Sequence, residues 1–279
     1  MSEHESGSQE HPTNLNPDFA FGRDVPDRKV QPDFEAALNI KFDPSEDELR
    51  SWRDWVVEQD RQGGFRQVGQ RGEYDSAVEL VGPDPDIKVM QYVGDDSGVG
   101  LEIDQDAYEA LKPYISANFL VPTAYIDTQD ANPSRRYYAL QNRQDGVSYD
   151  DAIAEGNRRV EDVPPEKIEQ VLGAGDGEAD RREVSYYGGV LEQMLPAEAW
   201  RKAQAHAGIL QNQLKKLETT GVAMPHLSFV VTPEGAIKIT GAMVRSLGDP
   251  TASSGWSGGS EIIEQVFNPT SERPNFHAE

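Results

Sequence analysis

Lys88 is the first side chain whose setting invites chemistry. It stands alone among apolar residues in Ile87-Lys88-Val89-Met90, a run whose composition predicts a strand. A lysine fixed on a rigid strand meets phosphate oxygens as a compact point charge. Two glycines, Gly69 and Gly72, stand upstream between strand-like stretches, and glycine lets backbone amides approach a phosphate closely. The third place in such a loop falls on Asp75 or Ser76, and an acid there repels phosphate. Cysteine is absent, which removes thiolate nucleophiles, thiolate metal sites and disulfides. His4 and His11 lie in a polar N-terminal stretch and read as solvated side chains.

The elements that must position these residues follow from pattern. Ser45-Glu46-Asp47-Glu48 is a capping box, and Leu49, Trp52, Trp55 and Val56 follow at helical spacing. That helix, over 46–60, is expected to pack its tryptophans on the outside of the next sheet. Strands are expected at 65–69, at a second stretch reached through Tyr74-Asp75-Ser76-Ala77-Val78 and closed by the turn at 82–85, at 87–90, at Phe119-Leu120-Val121 and at Tyr137-Tyr138-Ala139-Leu140. Asp104 can cap a helix over 104–112 that ends at Pro113. Tyr149 to Val160 is helical in pattern, and Pro164-Pro165 opens another helix. Residues 173–183, GAGDGEADRRE, read as a flexible acidic loop. The clearest helix is 197–220, where Trp200, Ala203, Ala207, Leu210, Leu214 and Leu217 form one apolar stripe. Gly221 ends it, and a short loop leads to a hairpin: Phe229-Val230-Val231, the turn Pro233-Glu234-Gly235, then Ile237 and Ile239 alternating with Lys238 and Thr240. Ser260 is expected to cap a last helix, Glu261 to Phe267.

The succession of helix, short loop and hairpin resembles the catalytic core of the protein kinase-like superfamily, with a more distant similarity to aminoglycoside-type phosphotransferases. Ser228-Phe229-Val230-Val231 resembles the family's Asn-Ile-Leu-Val segment, Ile237-Lys238-Ile239-Thr240 the strand before its metal-binding Asp, and Ile87-Lys88-Val89-Met90 its Val-Ala-Ile-Lys strand. The resemblance implies an α+β class and a two-lobed fold: a small antiparallel β lobe followed by a mainly helical one. Composition and the lack of periodicity set a disordered acidic tail over 1–33 and a tail over 269–279; between them the resemblance implies an N-terminal lobe with an extra leading helix over 34–142 and a helical lobe over 143–268. It further implies that Gly69 and Gly72 lie over phosphates, that Glu109 pairs with Lys88, and that Gln141-Asn142-Arg143 is the hinge whose backbone meets adenine. The cofactor would be ATP. The chemistry departs from the family. Ala223, Ser228 and Gly241 stand where the family has a catalytic Asp, an Asn and a metal-binding Asp. No catalytic residue and no metal ligand is therefore assigned. His226 and Asp249 are the groups that could substitute.

Acids number 49 against 26 bases, for a net charge of −23. That excludes nucleic acid and anionic membranes as expected partners. The N-terminus has no basic segment followed by an apolar one, and no apolar run approaches a membrane span. The expectation is a cytoplasmic protein that is a pseudokinase-like binding or scaffold protein, with an unidentified protein partner and weakly held nucleotide. An atypical small-molecule phosphotransferase and an acidic interaction protein outside the kinase family are the alternatives.

Overall fold

Ser45 starts the first helix in the way its sequence predicts. Its hydroxyl accepts from the Glu48 amide while the Glu48 carboxylate accepts from the Ser45 amide, so two otherwise unsatisfied donors are met. The Glu48 carboxylate also bonds Lys41; this contact and those with Ser45 lower its pKa to about 2. The helix, α1 (Glu46–Gln62), closes at Gly63 in the left-handed conformation. These features come from a computed structural model that describes residues 38–68, 77–94, 97–128, 136–172, 177–246 and 258–269. All of them fall within one compact unit, Ala36–Glu279. The expected tail over 1–33, the pair Gly69 and Gly72, and Asp249 lie outside the described residues.

The class is α+β. Five strands form an antiparallel sheet: β1 (Arg66–Gln67), β2 (Ala77–Val81), β3 (Ile87–Tyr92), β4 (Thr123–Asp127) and β5 (Tyr137–Asn142), in the spatial order β1-β2-β3-β5-β4. One helix, α2 (Ser97–Leu111), connects β3 to β4. Period-two alternation gives this sheet two apolar faces. On one, Val78, Leu80, Ile87, Val89, Ala124, Ile126, Tyr138 and Leu140 bury Trp52 and Val56 of α1, as the tryptophan stripe predicted. On the other, Tyr92 and Ala139 pack with Leu101 of α2.

A second antiparallel sheet contains β6 (Val147–Ser148), β7 (Val222–Val231) and β8 (Ile237–Ser246), in that order. Around it lie α3 (Tyr149–Val160), α4 (Pro165–Leu172), α5 (Gly177–Met194), α6 (Ala197–Glu218) and α7 (Gly259–Phe267). The α6 stripe is buried along its whole length: Trp200, Ala203, Ala207, Leu210, Leu214 and Leu217 are at most 4% exposed. It meets Phe229, Ile237, Ile239, Val266 and Phe267 in the largest apolar cluster. At the tip of the hairpin Gly235 has φ +83, and a Cβ there would stand 2.5 Å from the Ala199 carbonyl oxygen, so the turn needs glycine on both counts.

The structure corrects several sequence expectations. Residues 177–183 are helical, the start of α5, rather than loop. Asp104 sits in the middle of α2, which begins at Ser97, so it caps nothing. Phe119 lies in a turn; Leu120 makes a single parallel bridge to Ile239. The N-cap of α7 is Gly258, and Ser260 inside the helix gives both its amide and its hydroxyl to the Glu218 carboxylate, at 2.8 and 2.6 Å. That acid at a helix N-terminus is favoured by the dipole. Among the described residues, no helix is long and apolar enough to cross a membrane.

Candidate functional site

β3 turns Lys88 away from the α1 side of the sheet, since Ile87 and Val89 take that side. Antiparallel register sets Lys88 opposite Gln141, and Gln141 opposite Thr123. Glu79 is opposite Met90, and is thus a diagonal neighbour of Lys88 on the same face. The result is a polar row, Glu79, Lys88, Gln141 and Thr123, crossing four strands on the face that α2 shares.

The row is closed by its own contacts. Lys88 Nζ lies 3.9 Å from Glu79 Oε2, and Arg143 Nη1 donates to Glu79 Oε1 at 3.2 Å. Gln141 Nε2 donates to Thr123 Oγ1 at 2.8 Å and to the Thr240 carbonyl oxygen at 2.7 Å, which stitches the first sheet to β8. The expected partnership of Lys88 with Glu109 is not formed. Glu109 is on the exposed side of α2, with Lys112 at 3.3 Å. A one-turn view of α2 explains this: Glu109 follows the buried Tyr108 by one residue and so points about 100° away from it.

The segment Gln141-Asn142-Arg143 is held tightly. Asn142 exchanges two hydrogen bonds with the backbone of Ile40, at 3.0 and 2.8 Å. The Arg143 amide donates to the Asp86 carbonyl at 2.7 Å, and the Asn142 carbonyl accepts from Gln144 Nε2 at 2.9 Å. Two backbone groups that an adenine would read are thus already engaged.

Past the end of α6, residues 222–228 are the first part of β7 rather than the expected loop. Ser228 faces Gly241 directly across the ladder, Ala223 faces Arg245, and His226 faces Met243. His226 Nε2 lies 2.9 Å from Ser228 Oγ, on an exposed part of the strand. Beneath it, α2 presents Asp104, a residue the sequence reading took only for a cap. Tyr92 donates its hydroxyl to Asp104 Oδ2 at 2.6 Å, and Tyr125 donates to the Asp104 carbonyl at 3.0 Å. Burial raises the Asp104 pKa, while the Tyr92 hydrogen bond and the charge of His226 oppose that rise. Burial likewise pushes the Tyr92 and Tyr125 hydroxyls up, so both remain donors at neutral pH.

Among the described residues, no group of three or more His, Asp or Glu is placed to hold a metal ion. What the site offers is one cation already facing an acid, a bridged amide row and a half-buried aspartate on α2 held by tyrosines of β3 and β4. No protein-family description matches the chain. No curated protein matches it either.

Proposed function

We propose that the chain is a kinase-like protein without phosphoryl-transfer activity, serving as a binding or scaffold protein. Support for the fold comes from the order of elements: an antiparallel sheet carrying one helix between its Lys strand and the next strands, then a helical region organised on α6 and closed by the β7–β8 hairpin. Two antiparallel sheets of five and three strands fit a small β lobe leading into a mainly helical lobe.

One observation carries the non-catalytic reading. The two positions at which the family holds its metal, Ser228 and Gly241, are paired across a hairpin ladder. A glycine supplies no oxygen side chain, and a serine hydroxyl is a poorer magnesium ligand than a carboxylate. The catalytic-Asp position, Ala223, is also in the ladder. Its backbone is committed to the hairpin, so no loop is left there to orient an attacking hydroxyl.

The test is incubation of the full chain with γ-labelled ATP, magnesium or manganese, and hydroxylated acceptors, alongside equilibrium binding of ATP. We expect no label transfer. ATP binding should be weak and should strengthen in Glu79→Gln, which removes the acid facing Lys88, and be lost in Lys88→Ala. Label transfer abolished by Lys88→Ala would overturn the non-catalytic reading in favour of an atypical phosphotransferase. ATP binding indifferent to both substitutions would remove Lys88 from the site.

A further inference from the structure

α2 has two dissimilar faces. Leu101, Ala107, Tyr108 and Leu111 are buried. Val99 and Ile103, one turn apart and therefore on one side, are 54% and 48% exposed. Glu102, Asp106 and Glu109 lie exposed beside them, and no base occurs between Ser97 and Leu111. The base that follows, Lys112, is already shared by Glu109 at 3.3 Å and Asp43 at 3.5 Å. Single exposed apolar residues are ordinary on a protein surface; here two stand on successive turns with exposed acids of one sign along one edge.

Charge selects the occupant. The chain carries a net charge of −23, so a second copy would bring acids to acids, and an anionic membrane would be repelled. A basic segment is drawn both by the local rim and by the molecule as a whole. Its apolar residues must recur at helical spacing to meet a seam that itself runs along a helix. We propose that the outer face of α2 docks a basic amphipathic helix of a partner protein. The partner's apolar side chains sit on Val99 and Ile103, and its Lys and Arg side chains face Glu102, Asp106 and Glu109. This names the partner class for the binding role proposed above and rests on that role. The nucleotide experiment tests the Lys88 face and a peptide experiment tests this one, so the two fail separately.

Apolar contact and charge leave different signatures. Burial of the seam governs how long a complex lasts, whereas the acidic rim governs how fast it forms and how steeply salt weakens it. The probe is a fluorescent 18-residue peptide of Leu and Lys with Leu at helical spacing. Two controls accompany it: the same residues scrambled to break that spacing, and a Leu/Glu version. Binding to the full chain is followed by anisotropy and by association and dissociation rates. The spaced Leu/Lys peptide should bind at least about tenfold more tightly than either control. Val99→Asp with Ile103→Asp should weaken it by at least about tenfold, mainly through faster dissociation. Glu102→Lys with Asp106→Lys should slow association and flatten the salt dependence. Ile209→Asp changes an apolar residue of α6 that is also 54% exposed, and should leave binding unchanged. All these positions are exposed, and circular dichroism checks that each variant folds; the charge-reversal pair carries the test if the apolar pair does not. Equal binding of the scrambled peptide, binding indifferent to both α2 variants, an equal loss in Ile209→Asp, or no binding of the spaced peptide would overturn the proposal.

Discussion

Asp104 shows how one residue can set a pH dependence. Burial holds its pKa above the usual aspartate value, against the Tyr92 hydrogen bond and His226. The folded chain therefore takes up this proton more readily than the unfolded chain. Its contribution to stability is present at low pH and is lost as pH rises through the raised folded value. Asp104→Asn keeps an acceptor for Tyr92 and removes the half-buried charge. We expect its melting temperature at pH 8 to equal or exceed that of the unsubstituted chain, with the difference closing as pH falls toward ~4, the ordinary aspartate range. A lower melting temperature at pH 8 would mean that the charge itself is needed. Neither this carboxyl nor the partner of Lys88 was legible in the sequence. Lys88 could be placed on a strand because its neighbours are apolar and β-branched, and the structure keeps it there. Its partner is Glu79 because register brings Glu79 to a diagonal position. Register is a property of two strands and of the turn between them. The expectation for Glu109 was carried by a resemblance rather than by any physical coupling between the two residues.

At the scale of elements, strong periodicity marks where helices and the hairpin lie, and glycine masks one helix. α3, α6 and the hairpin turn lie close to where spacing put them, because each buries one continuous face. The apolar run Phe229-Val230-Val231 sets the expected start of this strand, yet β7 begins at Val222 and includes Pro225, which cannot donate to a ladder. The strand accommodates it at a register shift between Ala223 and His226. α5 was missed because glycine lowers helix propensity and the adjoining run is acidic. Its Gly188 has a packing role: a Cβ there would lie 2.7 Å from the Val266 carbonyl oxygen of α7. Two effects then oppose each other. Alanine is the better helix former by ~1 kcal/mol, while overpacking against backbone costs ~1–3 kcal/mol. Backbone cannot step aside, so packing decides, and we expect Gly188→Ala to lower unfolding free energy by ~1–2 kcal/mol in urea titrations. Gly208→Ala on α6 is the counterpart, with nothing within 4 Å of its added Cβ. It should raise stability by up to ~1 kcal/mol, the propensity gain alone. Matching signs for the two glycines would refute this account of α5 and α7.

Across the whole molecule, the α+β class was legible because strand-like and helix-like runs were separated along the chain. The charge excess was legible by counting, and it bears on partners rather than on fold. What no pattern announced is how the two sheets are joined. The Val121 amide donates to the Ile239 carbonyl at 3.0 Å, the Ile239 amide to the Phe119 carbonyl at 2.6 Å, and Gln141 reaches the Thr240 carbonyl at 2.7 Å. Three bonds converge on two successive residues of β8, and Ile239 is 1% exposed. These bonds act as a clock on the molecule. An amide so placed trades its hydrogen for deuterium only when the tie itself opens, whereas amides at the open end of the hairpin, such as Val222 and Ala223, do so by fraying. The Val121 and Ile239 amides should therefore rank among the slowest to exchange and respond to denaturant with the slope of global unfolding. Fast exchange at Ile239 would reveal a local opening between the sheets. If the tie holds, the sheets do not breathe apart, and a partner bound to α2 meets a surface that keeps one shape for as long as the chain stays folded.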